Sequence, residues 1–416
     1  MDRLDADHGV KLNCDMNSNK DQSLLQGCRR RRISLWKRLV FSLIPAITIL
    51  IGAEIVLRLA GFRFAAEHLS HPIFETSSNG MSVQTAQMFT DDKPYGFPFC
   101  YEQRFDREKG DRVRIVMVGG SSVFNLGAAP RLAQRLRAHF NSDVEIINAA
   151  FQGCGSKRML RTVQEVVTYS PEFVVIYSGH NEFISVANPA TRVDENGQPV
   201  KLTRTTNLRL VQFLSKLKHQ LAPPSPEALQ GMRRRYSQSE KDKFYDRYKN
   251  HLIEIIETAR AHGARVILGT ISYNYAVPPS SADGFDKIDQ LRGLSKNALR
   301  KLDDQRPNNA YIEYAIGMNA FQQGEYPLAR MWFDKALLHD TRPSRADTMI
   351  NTIIKQVAVD CDCPLADANQ SVQSQHPHAL PDFTFFLDHC HLNDRGNKIL
   401  QDEFAETIIA AELRSK

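Results

Sequence analysis

The sequence predicts an α/β fold, a parallel sheet with helices on both faces, and two observations carry that expectation. Continuous β-forming apolar runs recur at RVRIVMV from Arg112, VEIINAA from Val144, FVVIYSG from Phe173 and RVILGTIS from Arg265. Amphipathic stretches lie between them: PRLAQRLRAHF from Pro130, KRMLRTVQEVV from Lys157 and FYDRYKNHLIEIIETARAHG from Phe244. A strand covered on both faces reads as an unbroken apolar run, and its alternation with helices is the pattern of parallel crossover units.

Taken in order, residues 1–32 read as a cytoplasmic tail, polar and mixed in charge to about Asn19. Within an anchor segment 33–60, the run LVFSLIPAITILIGAEIVL from Leu39 to Leu57 carries one charge, Glu54. As a helix it spans roughly 28 Å, close to the hydrocarbon thickness of a bilayer, which predicts a transmembrane helix and a membrane as partner through residues 39–57. Arg29, Arg30, Arg31, Arg32, Lys37 and Arg38 precede the run and only Arg58 and Arg63 follow closely. The positive-inside rule then keeps the N-terminus cytoplasmic and places the remainder in the periplasm or outside the cell. No A-x-A-like site follows, so a cleaved leader is not expected. Residues 61–110, punctuated by Pro94 and Pro98, read as a connecting segment.

The α/β unit is expected to occupy 111–275 and to resume at 350–416, interrupted by an insertion at 276–349. A second interruption, Ala187 to Lys243, is polar and basic, with Arg233, Arg234 and Arg235, and reads as a solvated excursion. From Asn309 the chain runs NAYIEYAIGMNAFQQGEYPLARMWFDKALLHDTRP, an amphipathic helix pair joined at Gln323-Gly324. Gly317, Tyr326, Ala329, Phe333 and Ala336 fall at the packing offsets of a tetratricopeptide repeat, which this pair resembles. A lone repeat cannot bury its own face; residues 309–343 therefore pack on the α/β unit or receive a protein partner.

Composition bounds the function. The 416 residues are 42% hydrophobic, enough for a full core. The formal charge of +6 is concentrated at the N-terminus, where the first sixty residues hold 10 Lys and Arg against 6 Asp and Glu. Little remains for the rest, which excludes the basic face that a nucleic-acid partner requires. Of seven cysteines, Cys14 and Cys28 fall on the cytoplasmic side, leaving Cys100, Cys154, Cys361, Cys363 and Cys390, an odd number, beyond the anchor.

The first strand runs into Gly119, Gly120, Ser121 and Ser122, matching neither a phosphate loop nor a dinucleotide turn, nor the G-x-S-x-G elbow, since Val123 takes the last glycine's place. A hydroxyl here caps a helix or serves as a nucleophile. The far end of the chain, FLDHCHLNDRGNKIL, supplies Asp388 and His391, a carboxylate able to orient an imidazole that removes a serine proton. Gly153 in NAAFQGCGS and Asn181 in YSGHNEF follow strands and offer donors for an oxyanion. Strand ends are where open parallel sheets bind ligands. Asp388, His389, Cys390 and His391, even with Cys361 and Cys363, lack the usual zinc spacing.

With these four blocks the sequence resembles the SGNH (GDSL-like) hydrolase family, in a membrane-anchored subgroup with an inserted repeat. The resemblance implies a flavodoxin-like sheet and Ser121, not Ser122, as nucleophile, with Gly120 where many members carry Asp. It implies Asp388 and His391 as the remaining catalytic pair, and the Ser121 N–H, Gly153 and Asn181 as the oxyanion hole. A small-molecule, lipid or glycan ester is the implied substrate, and no metal or organic cofactor is required; an acyl transferase or deacetylase acting on envelope glycan with the same triad, or a non-catalytic envelope scaffold binding a partner through the helical repeat, are the alternatives. His180, Glu182 and Arg345 are candidate substrate contacts. Cys154 beside the oxyanion glycine and Cys390 beside the histidine are a candidate disulfide at the rim.

Overall fold

Valine, isoleucine and phenylalanine supply the sheet its strands, and the computed structural model shows where they pair. It describes residues 35–61, 72–87, 89, 99–183, 208–221, 235–282, 284 and 288–414. The chain divides into two units, residues 1–60 and 61–416.

In the first unit, α1 (Leu35–Leu59) is a 25-residue helix containing Pro45. Many of its apolar side chains are exposed, among them Phe41, Leu43, Ile44, Ile49 and Leu59. Among the described residues, no helix is long and apolar enough to cross a membrane. The expected span therefore gains no support from the described part of α1, and the cytoplasmic tail 1–32 lies outside the described residues.

The second unit opens with β1 (Phe74–Thr76), β2 (Ser82–Thr85) and β3 (Arg104–Asp106), an antiparallel meander where only a connecting segment was expected. Three- and four-residue strands are too short to show a period. Glu165 tethers this sheet, its carboxylate accepting from the N–H groups of Ile73 and Phe74 at 2.8 Å each.

The main sheet contains β4 (Val113–Gly119), β5 (Val144–Asn148), β6 (Phe173–Tyr177), β7 (Arg265–Gly269) and β8 (Leu365–Ala366) in the order β5-β4-β6-β7-β8. All its ladders are parallel. Ile115, Val116, Met117 and Val118 are fully buried, as are Val174 and Val175, and each such side chain contributes about 1.5–3 kcal/mol on burial. The four long strands are those anticipated; β8, two residues at the edge, had no legible pattern. The chain leaves β4 toward β5, then crosses back over β4 to β6. The order reverses at the carboxyl ends of β4 and β6, the crevice in which doubly wound sheets bind ligands.

Helices follow the strands. They are α2 (Ser121–Phe124), α3 (Pro130–Phe140), α4 (Ser156–Val166), α5 (Arg209–Leu221) and α6 (Gln238–Ala261), the last begun by a capping box between Ser237 and Glu240. Helix α5 lies inside the stretch read as a solvated excursion; Arg233 and Arg234 fall outside the described residues. The layer between β7 and β8 holds α7 (Lys296–Gln305), α8 (Ala310–Gln322) and α9 (Tyr326–Leu338). Tyr314, Ala329 and Phe333 from α8 and α9 share an apolar cluster with Tyr273, Tyr275 and Leu380. Tyr275 also donates to Asp334 at 2.7 Å, and Tyr314 donates to the Tyr275 carbonyl at 3.1 Å. The hairpin thereby packs on the segment that follows β7. After it come α10 (Thr348–Asp360), whose Ile350 and Ile354 join the main core, α11 (Ala368–Ser374) and α12 (Asp394–Arg414).

Candidate active site

Ser121 begins α2 immediately after β4, so the buried strand delivers its hydroxyl to the open end of the sheet. Asn148, at the end of β5, holds the turn: its amide donates to the Val123 carbonyl at 2.9 Å and to the Gly127 carbonyl at 2.8 Å. Ser122 points inward and is buried, which removes it as a nucleophile.

The loop before α12 brings the base. Nε2 of His391 lies 2.6 Å from Ser121 Oγ, and Nδ1 lies 2.6 Å from Asp388 Oδ2. A neutral imidazole satisfies both contacts in one tautomer, with Nδ1–H donating to the carboxylate and Nε2 accepting from the hydroxyl. Asp388 Oδ1 accepts from the Cys390 and His391 N–H groups, both at 2.8 Å, which closes the loop on itself. Burial works to raise the Asp388 pKa, yet these hydrogen bonds, led by that of His391, hold it well below the ordinary carboxylate range. The side chains of His391 and Asp388 are 24% and 43% exposed, so a substrate can approach. Asn274, past the end of β7, positions the loop: Nδ2 donates to the Asp388 carbonyl at 2.8 Å and its N–H to the His389 carbonyl at 3.3 Å. The sequence offered no signal for Asn274, because its role exists only across a separation of 114 positions along the chain.

The oxyanion candidates cluster at the same end. A Cβ on Gly120 would meet Asn181 Nδ2 at 2.4 Å. Only a residue without a side chain at position 120 lets the amide come this close to the strand end. Gly153 has φ of +68°, a left-handed conformation that glycine adopts without strain. Among the described residues, neither Ser121 N–H, Gly153 N–H nor Asn181 Nδ2 donates a hydrogen bond within the protein.

Glu182, a candidate substrate contact, is engaged within the protein. Its buried carboxylate accepts from Ser156 N–H at 2.8 Å and from Ser156 Oγ at 2.7 Å, at the start of α4. Ser156 Oγ is also 2.8 Å from His251 Nδ1 of α6. Glu182 therefore ties the Asn181 turn to the segment that carries Gly153. Burial is the dominant influence on its pKa and pushes it up to about 7 against the pull of the Ser156 hydrogen bonds. His180 and Arg345 are buried. His180 Nδ1 accepts from the Ala346 N–H at 3.2 Å, and burial followed by the charges of His389, His391 and Arg345 drives its pKa down.

Cys154 and Cys390 are buried thiols, not joined in a disulfide. Cys154 Sγ donates to the Gly155 carbonyl at 3.5 Å, and Cys390 Sγ lies 3.8 Å from His391 Nδ1, so each is committed to its own loop. Burial pushes the Cys154 thiol up to about 12. Asp388, His389 and Cys390 offer potential ligand atoms within 4.8 Å of one another. The Asp388 oxygens are already held by His391 and the backbone, so a cation there would compete with the orientation of His391.

A model of the family described as GDSL-like Lipase/Acylhydrolase matches residues 117–399, more than half of the chain. Among solved structures, a putative acylhydrolase from Bacteroides fragilis is similar at 13% identity, with 79% of this chain and 97% of that one covered and a TM-score of 0.38. A GDSL-like lipase from Bacteroides thetaiotaomicron is similar at 13% identity, with coverage of 72% and 89% and a TM-score of 0.36. A catalytic mutant of an acetylxylan esterase from Geobacillus stearothermophilus is similar at 13% identity, with coverage of 72% and 95% and a TM-score of 0.34. No curated protein matches the sequence.

Proposed function

For a chain that belongs to the GDSL-like lipase/acylhydrolase family, and is accordingly an ester hydrolase, we propose that Ser121, His391 and Asp388 are the catalytic triad. The observation that carries this reading is the continuous relay Asp388–His391–Ser121, with 2.6 Å at each link.

In the reaction, Ser121 Oγ attacks the ester carbonyl carbon while His391 Nε2 takes the hydroxyl proton, and Asp388 stabilises the imidazolium that results. Negative charge gathers on the carbonyl oxygen, which the N–H groups of Ser121 and Gly153 and the amide of Asn181 receive. Collapse breaks the bond to the alcohol, whose oxygen takes the proton from His391. Water then repeats the sequence on the acyl-enzyme, releasing the acid and regenerating Ser121. Fixed donors in a partly desolvated site require no reorganisation as charge develops, and each is worth roughly 3–4 kcal/mol of barrier in comparable sites.

The test is labelling by a fluorophosphonate. Covalent modification of the wild type that disappears in Ser121→Ala supports the triad; labelling that persists in this variant overturns it.

The same reading places the enzyme on a membrane, anchored through residues 39–57 with the hydrolase outside the cytoplasm. Support comes from the sequence: a run with one charge, preceded by six basic residues. The run includes Leu39 and Val40, whose side chains lie outside the described residues. Helices α8 and α9 are read as a single tetratricopeptide-like repeat. Their apolar side meets Tyr273 and Tyr275, which favours support of the catalytic loop over reception of a partner. Carbonate extraction of membranes followed by protease accessibility checks both the anchor and its orientation.

A further inference from the structure

We propose that Arg345 and His180 form a subsite for an anionic group of the substrate, a carboxylate or its equivalent, next to the triad. The inference deepens the esterase reading and rests on it.

Two arginines are buried among the described residues, and the fold treats them differently. Arg114 uses every nitrogen: Nε donates to Glu145 at 2.6 Å, Nη1 to the carbonyls of Arg107 at 3.1 Å and Tyr169 at 2.7 Å, and Nη2 to the Asp106 carbonyl at 2.6 Å. Arg345, 4% exposed, donates only from Nη2, to the Val277 carbonyl at 2.5 Å. Its Nε and Nη1 have no partner. Asp340, the acid whose charge acts on Arg345, is engaged with the N–H groups of Ser280, Ser281 and Arg342. A guanidinium stays charged even when buried, and one left without acceptors is costly to the fold.

His180 adds a third orphan. Because Nδ1 accepts from Ala346, the neutral ring carries its proton on Nε2, which is buried without an acceptor. All three vacant groups, Arg345 Nε, Arg345 Nη1 and His180 Nε2, are thus donors. What they lack is an acceptor-rich partner, and a planar guanidinium fork selects a carboxylate or similar oxyanion.

Placement ties the subsite to the chemistry. His180 directly precedes Asn181 of the oxyanion hole. On the other side, the carbonyl of Ser344, the residue before Arg345, accepts from His389 Nε2 at 3.0 Å, and His389 follows Asp388. The bonds from Ala346 to His180 and from His389 to Ser344 set Arg345 and His180 between the oxyanion loop and the loop of the base, so an anion held by them would adjoin an ester bound at Ser121.

Two matched pairs of esters test this with the full-length protein. p-Nitrophenyl hemisuccinate against its methyl ester places the anion on the acyl side; 4-acetoxybenzoate against its methyl ester places it on the leaving side. The wild type should turn over the anionic member of one pair with kcat/KM at least tenfold above its neutral mate, mostly through KM, and the responding pair identifies the side. Arg345→Met should remove that gap, and Arg345→Lys should restore part of it. Equal kcat/KM within both pairs, or a gap that survives in folded Arg345→Met, overturns the subsite. Should Arg345→Met fail to fold, the wild-type pairs together with competitive inhibition by free succinate decide, absence of both being the adverse result. Loss of the subsite alone leaves Ser121-dependent turnover of the neutral esters in place; loss of the esterase reading removes turnover of all four.

Discussion

The described residues include two constellations of the same three residue types, a serine, a histidine and a carboxylate, and one of them has the order that the proposed catalysis needs. At the sheet end the order is Asp388, His391, Ser121, with the imidazole between acid and hydroxyl. At the start of α4 it is Glu182, Ser156, His251, with the hydroxyl in the middle. A proton taken from Ser121 passes to a ring whose far side is already stabilised by a carboxylate. In the second group the carboxylate accepts from the serine, His251 is not oriented by it, and Ser156 is 3% exposed. The difference teaches that order and access, not residue identity, separate a nucleophile from a clamp.

The comparison is broken most severely by Ser121→Ala, for which turnover of a p-nitrophenyl ester should fall at least about a thousandfold with the melting temperature little changed. Next is Asp388→Asn, which leaves the relay in place but unsettles the His391 tautomer and should cost roughly 100- to 10,000-fold in kcat. If either variant keeps wild-type kcat, the relay is not the engine. Gly120→Ala should be milder, about 10- to 100-fold in kcat with KM less affected, because the added Cβ would meet Asn181 Nδ2 at 2.4 Å and push the amide away.

The clamp should respond in stability rather than chemistry. Ser156→Ala strips Glu182 of one hydrogen bond and should cost about 1–3 kcal/mol by denaturant unfolding, with a smaller loss of kcat than any triad variant; a kcat loss as large as that of Ser121→Ala would erase the distinction. The smallest effect is one of pH. The folded pKa of Glu182 is raised from 4.5 to about 7, so its protonated form is the one the fold favours. Its contribution to stability is fully present below pH 4.5 and is lost as pH rises through about 7. Melting temperature against pH should show that decline, and Glu182→Gln should flatten it; an unchanged slope in the variant would show that Glu182 does not titrate there.

Much of this contrast was legible before any coordinates. The apolar runs ending at Gly119, Asn148 and Tyr177 marked their strands because both faces are buried, and the blocks at Ser121, Gly153 and Asn181 followed from where such strands end, whereas Asp388 and His391 were read from their spacing near the end of the chain. Glu182 stood only as a candidate substrate contact, because a carboxylate beside an oxyanion residue looks the same in sequence whether it faces substrate or caps a helix. Ser156 and His251 went unnoticed, although a serine after Gly155 at the start of an amphipathic stretch is a recognisable helix-start signal. Cys154 and Cys390 adjoin functional residues in sequence, yet neighbouring a site along the chain does not turn two thiols toward each other.

The sequence by itself determined the α/β class and the residue types at the strand ends, because burial periodicity and turn chemistry are local properties of the chain. Only the tertiary structure decided that Ser121 meets an imidazole 270 positions away, that Glu182 is a clamp, and that Arg345 keeps donors vacant. Those outcomes depend on distances and desolvation set by the whole packed core, which no short stretch of sequence contains.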